Sequence, residues 1–341
     1  MKNKSIAINV ITWNDWENTV VCLESILQSD YDNFDLILID NNSEEKHIQK
    51  IKEWAKNNIK VEDDEFNFNP NKTSEIIEID KNFKIKDIGK KNIYLIRNKT
   101  NLGLTAGLNI GYKFSNEQNY DYISRVDCDF IITKQFLKKM VETLNGDKEI
   151  VAVSPKVKHA YMRNTIWWAG VKFNWFYLKF QRTMNLKKKR IYDNQSYCGL
   201  IETDGICGCC SFYRPEILKK VGYGDEEFFF GPEDTELSFR LKKFGKLIVN
   251  LDSYTLHKIA TSTSISGWYE RTYNETVGFL LLIKKTGGIL DKIIGYSYFL
   301  MRIPYFYVLM KLNIRNKEKV FGFFKGCVDF FLNKHLSRKE N

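Results

Sequence analysis

The sequence predicts an α/β fold, with a mostly parallel sheet carrying helices on both faces and a helical region at the C-terminus. Three observations carry that reading. Apolar, β-branched runs alternate with segments of helical periodicity through the first half. Acidic residues stand where two of those runs end, at Asp40 and at Asp127-Cys128-Asp129. Residues 269–341 then lose the alternation and become aromatic and basic.

Ile6 to Ile11 reads as a buried strand and Trp16 to Leu27 as a helix. Phe34 to Ile39 is a second strand ending at Asp40, followed by a helix around His47 to Trp54. Residues 58–91 are charged and Asn-rich without strong periodicity, which predicts a surface insertion in the form of a hairpin. Ile93 to Ile96 resumes the sheet, Thr105 to Phe114 is a helix, and Tyr122 to Val126 leads to the acid pair. Residues 157–205 are rich in aromatics (Trp167, Trp168, Phe173, Trp175, Phe176, Tyr177, Phe180) and predict longer strands and loops that cover the site. Ile206 to Tyr213 reads as a small-residue strand, and Pro215 to Val221 as a helix with Pro in its first turn. Glu233 to Phe244 is a helix stopped by Gly245, and Leu247 to Leu251 is a strand leading to His257.

Composition narrows the function classes. The net charge of +10 is uneven: residues 284–341 hold 12 Lys+Arg against 4 Asp+Glu, which leaves the body nearly neutral. A basic tail on a neutral body, with no recognition motif, argues against a nucleic-acid-binding protein. Seven cysteines form no regular framework, and Cys207, Cys209 and Cys210 lack partners at zinc-site spacing, so reduced, buried thiols in a cytoplasmic protein are expected.

The chemistry concentrates at few places. Asp127 and Asp129 supply hard oxygens at the carboxyl edge of a sheet, where open α/β sheets bind ligands and where Mg²⁺ or Mn²⁺ can bridge to phosphate. Alone, such a pair is also a common solvated turn. Glu233-Asp234 stands at a helix start behind Gly231-Pro232. Acids there cap a helix, and a carboxylate at a pocket rim can equally serve as a general base. The run Asn101-Leu102-Gly103 through Asn109-Ile110-Gly111 allows close backbone approach but has neither Walker nor dinucleotide-binding spacing. Asp40 suits a base or ribose as readily as a turn, and His257 could join Asp129 at a metal.

Taken in order, these segments resemble the family 2 glycosyltransferases of GT-A fold, in particular the non-processive rhamnosyl- and galactosyltransferase-like members. The likeness covers roughly residues 5–265 and is carried by Ile11-Thr12-Trp13-Asn14, Ile39-Asp40-Asn41-Asn42-Ser43, the Asn101–Gly111 run, Asp127-Cys128-Asp129, Gly222–Asp234 with Leu237 and Arg240, and His257. The resemblance implies inverting transfer of a sugar from a nucleoside diphosphate sugar to a glycan or polyprenyl-linked glycan, with Mg²⁺ or Mn²⁺ as cofactor. It implies Asp234 as base and Glu233 as its helper. Donor contacts would come from Thr12, Asn14, Asp40, Asn101, Gly103, Asn109 and Asp127, with Arg97 nearby, and metal ligation from Asp129, Asp127 and His257. Trp13 replaces the family's Tyr. Gly224 and Gly231 replace frequent aromatics, which predicts a more open or more mobile acceptor side. No Gln-X-X-Arg-Trp occurs, which argues against a processive synthase. A nucleotide-sugar-binding protein without catalysis is the alternative, opposed by the presence of both Asp129 and Asp234.

The expected domains are a catalytic unit over 1–268 and a basic, aromatic helical region over 269–341. In the latter, Arg302 and Pro304 interrupt the stretch Ile293 to Leu312, so it suits a membrane surface or packing on the catalytic unit better than a span.

Overall fold

The computed structural model describes residues 3–61, 63, 75–80, 82–162, 164–174, 179–182, 191–194, 196–258, 267–311 and 317–335. Among them, β1 (Ile6–Thr12), β2 (Phe34–Asp40), β3 (Ile76–Ile79), β4 (Ile93–Arg97) and β5 (Tyr122–Val126) lie side by side in the order β5-β1-β2-β4-β3, every pair parallel. Beyond β5 the order continues through β12 (Cys210–Tyr213), β7 (Ile150–His159), β13 (Lys246–His257) and β11 (Leu200–Glu202). Strand β12 runs antiparallel between β5 and β7, and β6 (Phe130–Ile132) and β8 (Ile166–Trp168) attach to β13 and β7. Strands β9 (Val171–Asn174) and β10 (Lys179–Arg182) form a separate antiparallel pair.

Both faces of the sheet are covered, which is why its strands read as apolar runs rather than as alternations. Along β1, Ile6, Ile8 and Val10 enter one core with Leu23 of α1 (Trp16–Leu27), Trp54 of α2 (Glu45–Ala55) and Leu137 of α4 (Phe136–Gly146). The intervening Ala7 and Ile11 enter the opposite core. That core holds Leu108 of α3 (Leu104–Glu117), Leu218 of α5 (Pro215–Lys220) and Leu237 of α6 (Glu233–Leu241).

Three expectations change. The insertion over 58–91 is no hairpin where it is described, since β3 pairs parallel with β4. A parallel return needs a connection of about a dozen residues, and the turn before β4 is held by buried Asp35. Its carboxylate accepts the backbone N–H groups of Gly89, Lys90 and Asn92 and the Tyr120 hydroxyl. Second, residues 206–209 turn before β12 begins, with Cys210 N–H on the Cys207 carbonyl, so the strand is four residues long. Third, β13 continues past Leu251 across an irregularity to His257, which sets that side chain beside β6. The aromatics Trp175, Phe176 and Tyr177 lie outside the described residues, as does the centre of the insertion.

The C-terminal region is built into the same unit. Helices α7 (Trp268–Thr286), α8 (Ile289–Lys311) and α9 (Lys317–Phe331) share a core with Phe228 from the segment that precedes α6. Gly278 of α7 lies so close to the Gly231 carbonyl that any side chain there would collide with it. Gly322 and Gly326, one turn apart on α9, allow the same intimacy with α7: a Cβ at Gly322 would lie 2.5 Å from the Tyr269 carbonyl oxygen. No helix among the described residues is long and apolar enough to cross a membrane.

Candidate active site

The chain leaves β1 for β2 on one side and returns to β5 on the other, so the carboxyl ends of these strands flank a switch point, the usual ligand position in open α/β sheets. A cleft of about 260 Å³ opens there. Its walls include Thr12 and Trp13 after β1, Asn41 after β2, Asn101 and Gly103 ahead of α3, and Asp127, Cys128 and Asp129 after β5. Phe229 and Phe230 close one side. The ring of Phe229 occupies the place a side chain on Gly103 would need, and Gly103 has φ +80°, so both space and backbone call for glycine. Arg271 and Asn274 of α7 complete the lining.

The acids are organised by Arg125, a guanidinium buried within β5. Its Nε donates to Asp127 Oδ1 at 2.7 Å and its Nη2 to Asp127 Oδ2 at 3.0 Å, a two-pronged pair. Its Nη1 reaches Glu233 Oε1 at 3.3 Å. Burial works against the charge on Arg125, and Asp127 and Glu233 outweigh it, holding its pKa well above the ordinary value. Burial likewise pushes the Asp127 carboxyl up, opposed by Arg125.

Glu233 Oε2 accepts the Gly231 N–H at 2.7 Å, which fixes it at the corner before α6. Asp234 Oδ2 accepts the Gly208 N–H at 3.1 Å, and its Oδ1 accepts the Thr235 N–H at 2.7 Å. The Cys209 carbonyl, next in chain, takes the Asp127 N–H at 2.8 Å, so Asp234 and the cleft acids hang on one backbone segment. Burial, and then the neighbouring Glu233 charge, push the Asp234 carboxyl up to about 6. A carboxylate poised near neutrality suits proton abstraction.

Asp129 meets His257, with Oδ2 3.3 Å from Nε2. Beyond that contact the imidazole is held by rings: Phe130 stacks at 4.5 Å, Trp167 stands edge-on at 4.5 Å, and buried Nδ1 has no hydrogen-bond partner among the described residues. A carboxylate on the cleft wall with an imidazole nitrogen behind it fits Mn²⁺ or Mg²⁺. Among the described residues no three His, Cys, Asp or Glu converge to hold a metal unaided.

The sequence-derived set divides accordingly. Thr12, Asn101, Gly103, Asp127 and Asp129 line the cleft, and His257 stands behind Asp129, whereas Asp127 faces Arg125 rather than His257. Asp40 lies beneath the cleft, accepting the Ser43 N–H at 2.8 Å and Arg97 Nε at 3.2 Å. Asn14 latches the loop after β2 through the Glu44 N–H at 2.8 Å. Asn109 clamps Gly224 from both sides, accepting its N–H at 2.9 Å and donating to its carbonyl at 2.8 Å. A side chain at Gly224 would meet Thr105 and Asn109, so that position is filled, whereas at Gly231 α7 packs on the carbonyl and a Cβ would meet nothing nearer than Glu233 Oε2 at 4.0 Å. Near the cleft, burial pushes the Cys128 thiol up, and the hydrogen bond that the Cys209 thiol donates to Cys207 together with burial does the same at Cys209, so both stay protonated. Sequence reasoning missed Arg125, Phe229, Phe230, Arg271 and Asn274. For Arg125 the signal was present, as a lone guanidinium inside a wholly buried strand.

The family model for glycosyl transferase family 2 matches residues 7–74 and 68–222. The chain belongs to this family. Its fold is of GT-A type. Three solved structures are similar to it in fold. GalNAc-T7 with UDP, GalNAc and Mn²⁺ aligns with TM-score 0.57 and 14% identity over 83% of this chain and 48% of that one, so the chain spans about half the length of that relative. The mannosyltransferase PcManGT from Pyrobaculum calidifontis, with GDP-Man and Mn²⁺, gives 0.55 and 10% over 98% and 89%. S. aureus TarS 1-349 with UDP-GlcNAc gives 0.53 and 14% over 96% and 80%. No curated protein sequence matches the chain.

Proposed function

We propose that this glycosyltransferase is inverting and metal-dependent, moving a sugar from a nucleoside diphosphate sugar to a hydroxyl of a glycan or lipid-linked glycan in polysaccharide or cell-envelope assembly. The observation that carries the reading is the unbroken polar link Asp127–Arg125–Glu233, continued along the chain to Asp234, which couples an acid of the donor cleft to a carboxylate pushed up to about 6. The nucleotide sugars and Mn²⁺ in the structures similar to it support the donor class and the metal.

In this reading Asp129 and His257 would hold the cation. When bound, the cation supplies positive charge to the departing diphosphate. Thr12, Asn41 and Asn101 receive the nucleoside end of the donor, while Phe229 and Phe230 exclude water from one side. Asp127, fixed by Arg125, meets the ribose. Asp234 removes the proton from the acceptor hydroxyl as its oxygen attacks the anomeric carbon from the face opposite the leaving group. Glu233 holds the corner that presents Asp234. The basic, aromatic tail brings the chain to a membrane surface, where a lipid-linked acceptor would reside.

Thermal unfolding across UDP-, GDP-, dTDP- and CMP-sugars, with Mn²⁺ or with chelator, tests the donor half. A ligand at about 100 times its Kd adds about 2.7 kcal/mol to the folded state. One nucleotide class should therefore raise the midpoint by several degrees with Mn²⁺ and lose most of that shift in chelator or in Asp129→Ala. Equal shifts with and without metal would refute the assignment to Asp129.

A further inference from the structure

We propose that the outer side of α8, continued by α9, is a docking face for a lipid bilayer with anionic headgroups. This rests on the membrane-contact reading above and names the surface that makes the contact. A helix that is apolar on both sides is normally covered on both sides. Helix α8 is apolar on both sides and covered on one. Its inner side packs through Gly295, where a Cβ would meet Ile283 of α7, and through Phe299 and Phe306, whose rings stack on Phe323 of α9.

The outer side is uniform. Ile289, Ile293, Leu300, Met301, Tyr307 and Val308 are between 49% and 84% exposed. They fall within about a third of the helix circumference, over a length of about 29 Å. Among the described exposed side chains of α8 none is charged, and only Ser297 and the Tyr307 hydroxyl are polar. Phe321, Val328 and Phe331 extend the surface onto α9, across a seam where the Tyr296 and Phe331 rings lie 6.2 Å apart. A protein partner would bring hydrogen-bonding groups, about one bond per 100–200 Å² of interface, and this face offers them almost no counterpart. The acyl boundary of a bilayer requires none, and it takes the apolar side of a helix lying along it.

Charge selects the headgroups. Lys292 on α8, Lys317 at the start of α9 and Lys284 near the end of α7 border the face, and none has a carboxylate within ion-pair distance among the described residues. Of the three acids on α8 and α9, Asp291 accepts the Gly288 N–H at 2.9 Å, Asp329 is buried against Lys325, and Glu318 follows Lys317. Residues 284–341 carry 12 Lys+Arg against 4 Asp+Glu, so a second copy would meet like charge, whereas an anionic bilayer meets opposite charge. Arg302 and Lys319 stand apart from this contact, because they line the recess between α7, α8 and α9, behind the face. A helix diameter of about 10 Å sets them about one Debye length further from the lipid at 0.1 M salt. Helix α7 meets α8 at Ile283 and walls the donor cleft with Arg271 and Asn274, so it joins the docking face to the active site.

The test uses the full chain, with vesicles of phosphatidylcholine alone or mixed with phosphatidylglycerol. Wild type should co-sediment with the mixed vesicles and far less with the neutral ones. Leu300→Ser with Met301→Ser should weaken binding to the mixed vesicles by at least about tenfold. Both side chains are exposed, so the urea midpoint of that variant should match wild type. Lys284→Gln with Lys292→Gln and Lys317→Gln should weaken binding about 100-fold, at about fivefold per basic residue near the surface. Arg302→Gln with Lys319→Gln, which removes charge behind the face, should weaken it by less than about fivefold. Wild-type binding that survives Leu300→Ser with Met301→Ser would leave the membrane reading standing and overturn this face. A recess pair as damaging as the three lysines would overturn the orientation on the bilayer. Wild type that ignores both kinds of vesicle would overturn the membrane reading and the face with it. Self-association abolished by Leu300→Ser with Met301→Ser, without vesicle binding, would overturn the bilayer in favour of a second copy.

Discussion

Replacing Asp234 with Asn is expected to lower kcat by about 10²–10⁴-fold, the usual contribution of a general base, while donor affinity measured with Mn²⁺ stays within a few-fold. The split follows from position. Asp234 hangs on Gly208 and Thr235 and does not line the donor cleft, so the nucleotide loses nothing when its charge goes. In wild type the rate should fall with pH below about 6, because the Asp234 carboxyl is pushed up to about 6 and only its ionised form accepts the acceptor proton. Near pH 5 about a tenth of the plateau rate should remain, and that limb should be missing from the residual activity of Asp234→Asn. Stability runs the opposite way at this site. The folded-state pKa lies above the unfolded value, so the folded chain retains a proton that the unfolded chain releases, and the stabilisation from that proton declines as pH rises towards about 6. A variant with wild-type turnover and an unchanged acid limb would remove Asp234 from the base role.

How much of this was legible in the sequence depended on whether a residue's meaning was local. Strands β1, β2, β4 and β5 are short β-branched runs that bury both faces, so their apolar letters identify them without any partner. Asp127 and Asp129 could be placed at the cleft because the end of a parallel strand is by construction the ligand edge of the sheet, whereas Asp40, at the same edge, is spent on Ser43 and Arg97 beneath it. Asn14 and Asn109 could not be placed, because an amide serves a backbone group as well as a ligand. Only the fold shows that their partners are Glu44 and Gly224. Strand β3 misled for a related reason: its direction depends on the connection held by Asp35, some 50 residues earlier in the chain. Arg271 and Asn274 carry no motif. They reach the cleft because Gly278 lets α7 settle onto the Gly231 corner, so a boundary drawn at residue 268 on composition cuts through the wall of the site.

Arg125→Met should be the most damaging substitution in the chain for stability and catalysis together. It leaves Asp127 and Glu233 buried without their common partner, and breaking a buried pair on one side costs about 3–5 kcal/mol. The unfolding midpoint should fall accordingly in urea, and the loss should shrink at low pH, where the stranded carboxyls can take up protons. Arg125→Lys separates charge from shape. It keeps a cation between the acids but cannot hold Asp127 by two parallel hydrogen bonds, so it should retain more stability than Met and still raise the donor KM. The pH profile distinguishes a positioning role from a purely structural one. Arg125 lowers the pKa of Asp234, against burial and Glu233, which raise it. Removing that positive charge should therefore move the acid limb of kcat to higher pH in Arg125→Met and much less in Arg125→Lys. An Arg125→Met enzyme that folds, with its acid limb where the wild type has it, would show that the guanidinium supports the fold without tuning the base. A shifted limb would mean that one buried side chain sets both the geometry of the donor acid and the proton affinity of the acceptor acid, whose positions in the chain are separated by α4, β7 and the whole of residues 157–205.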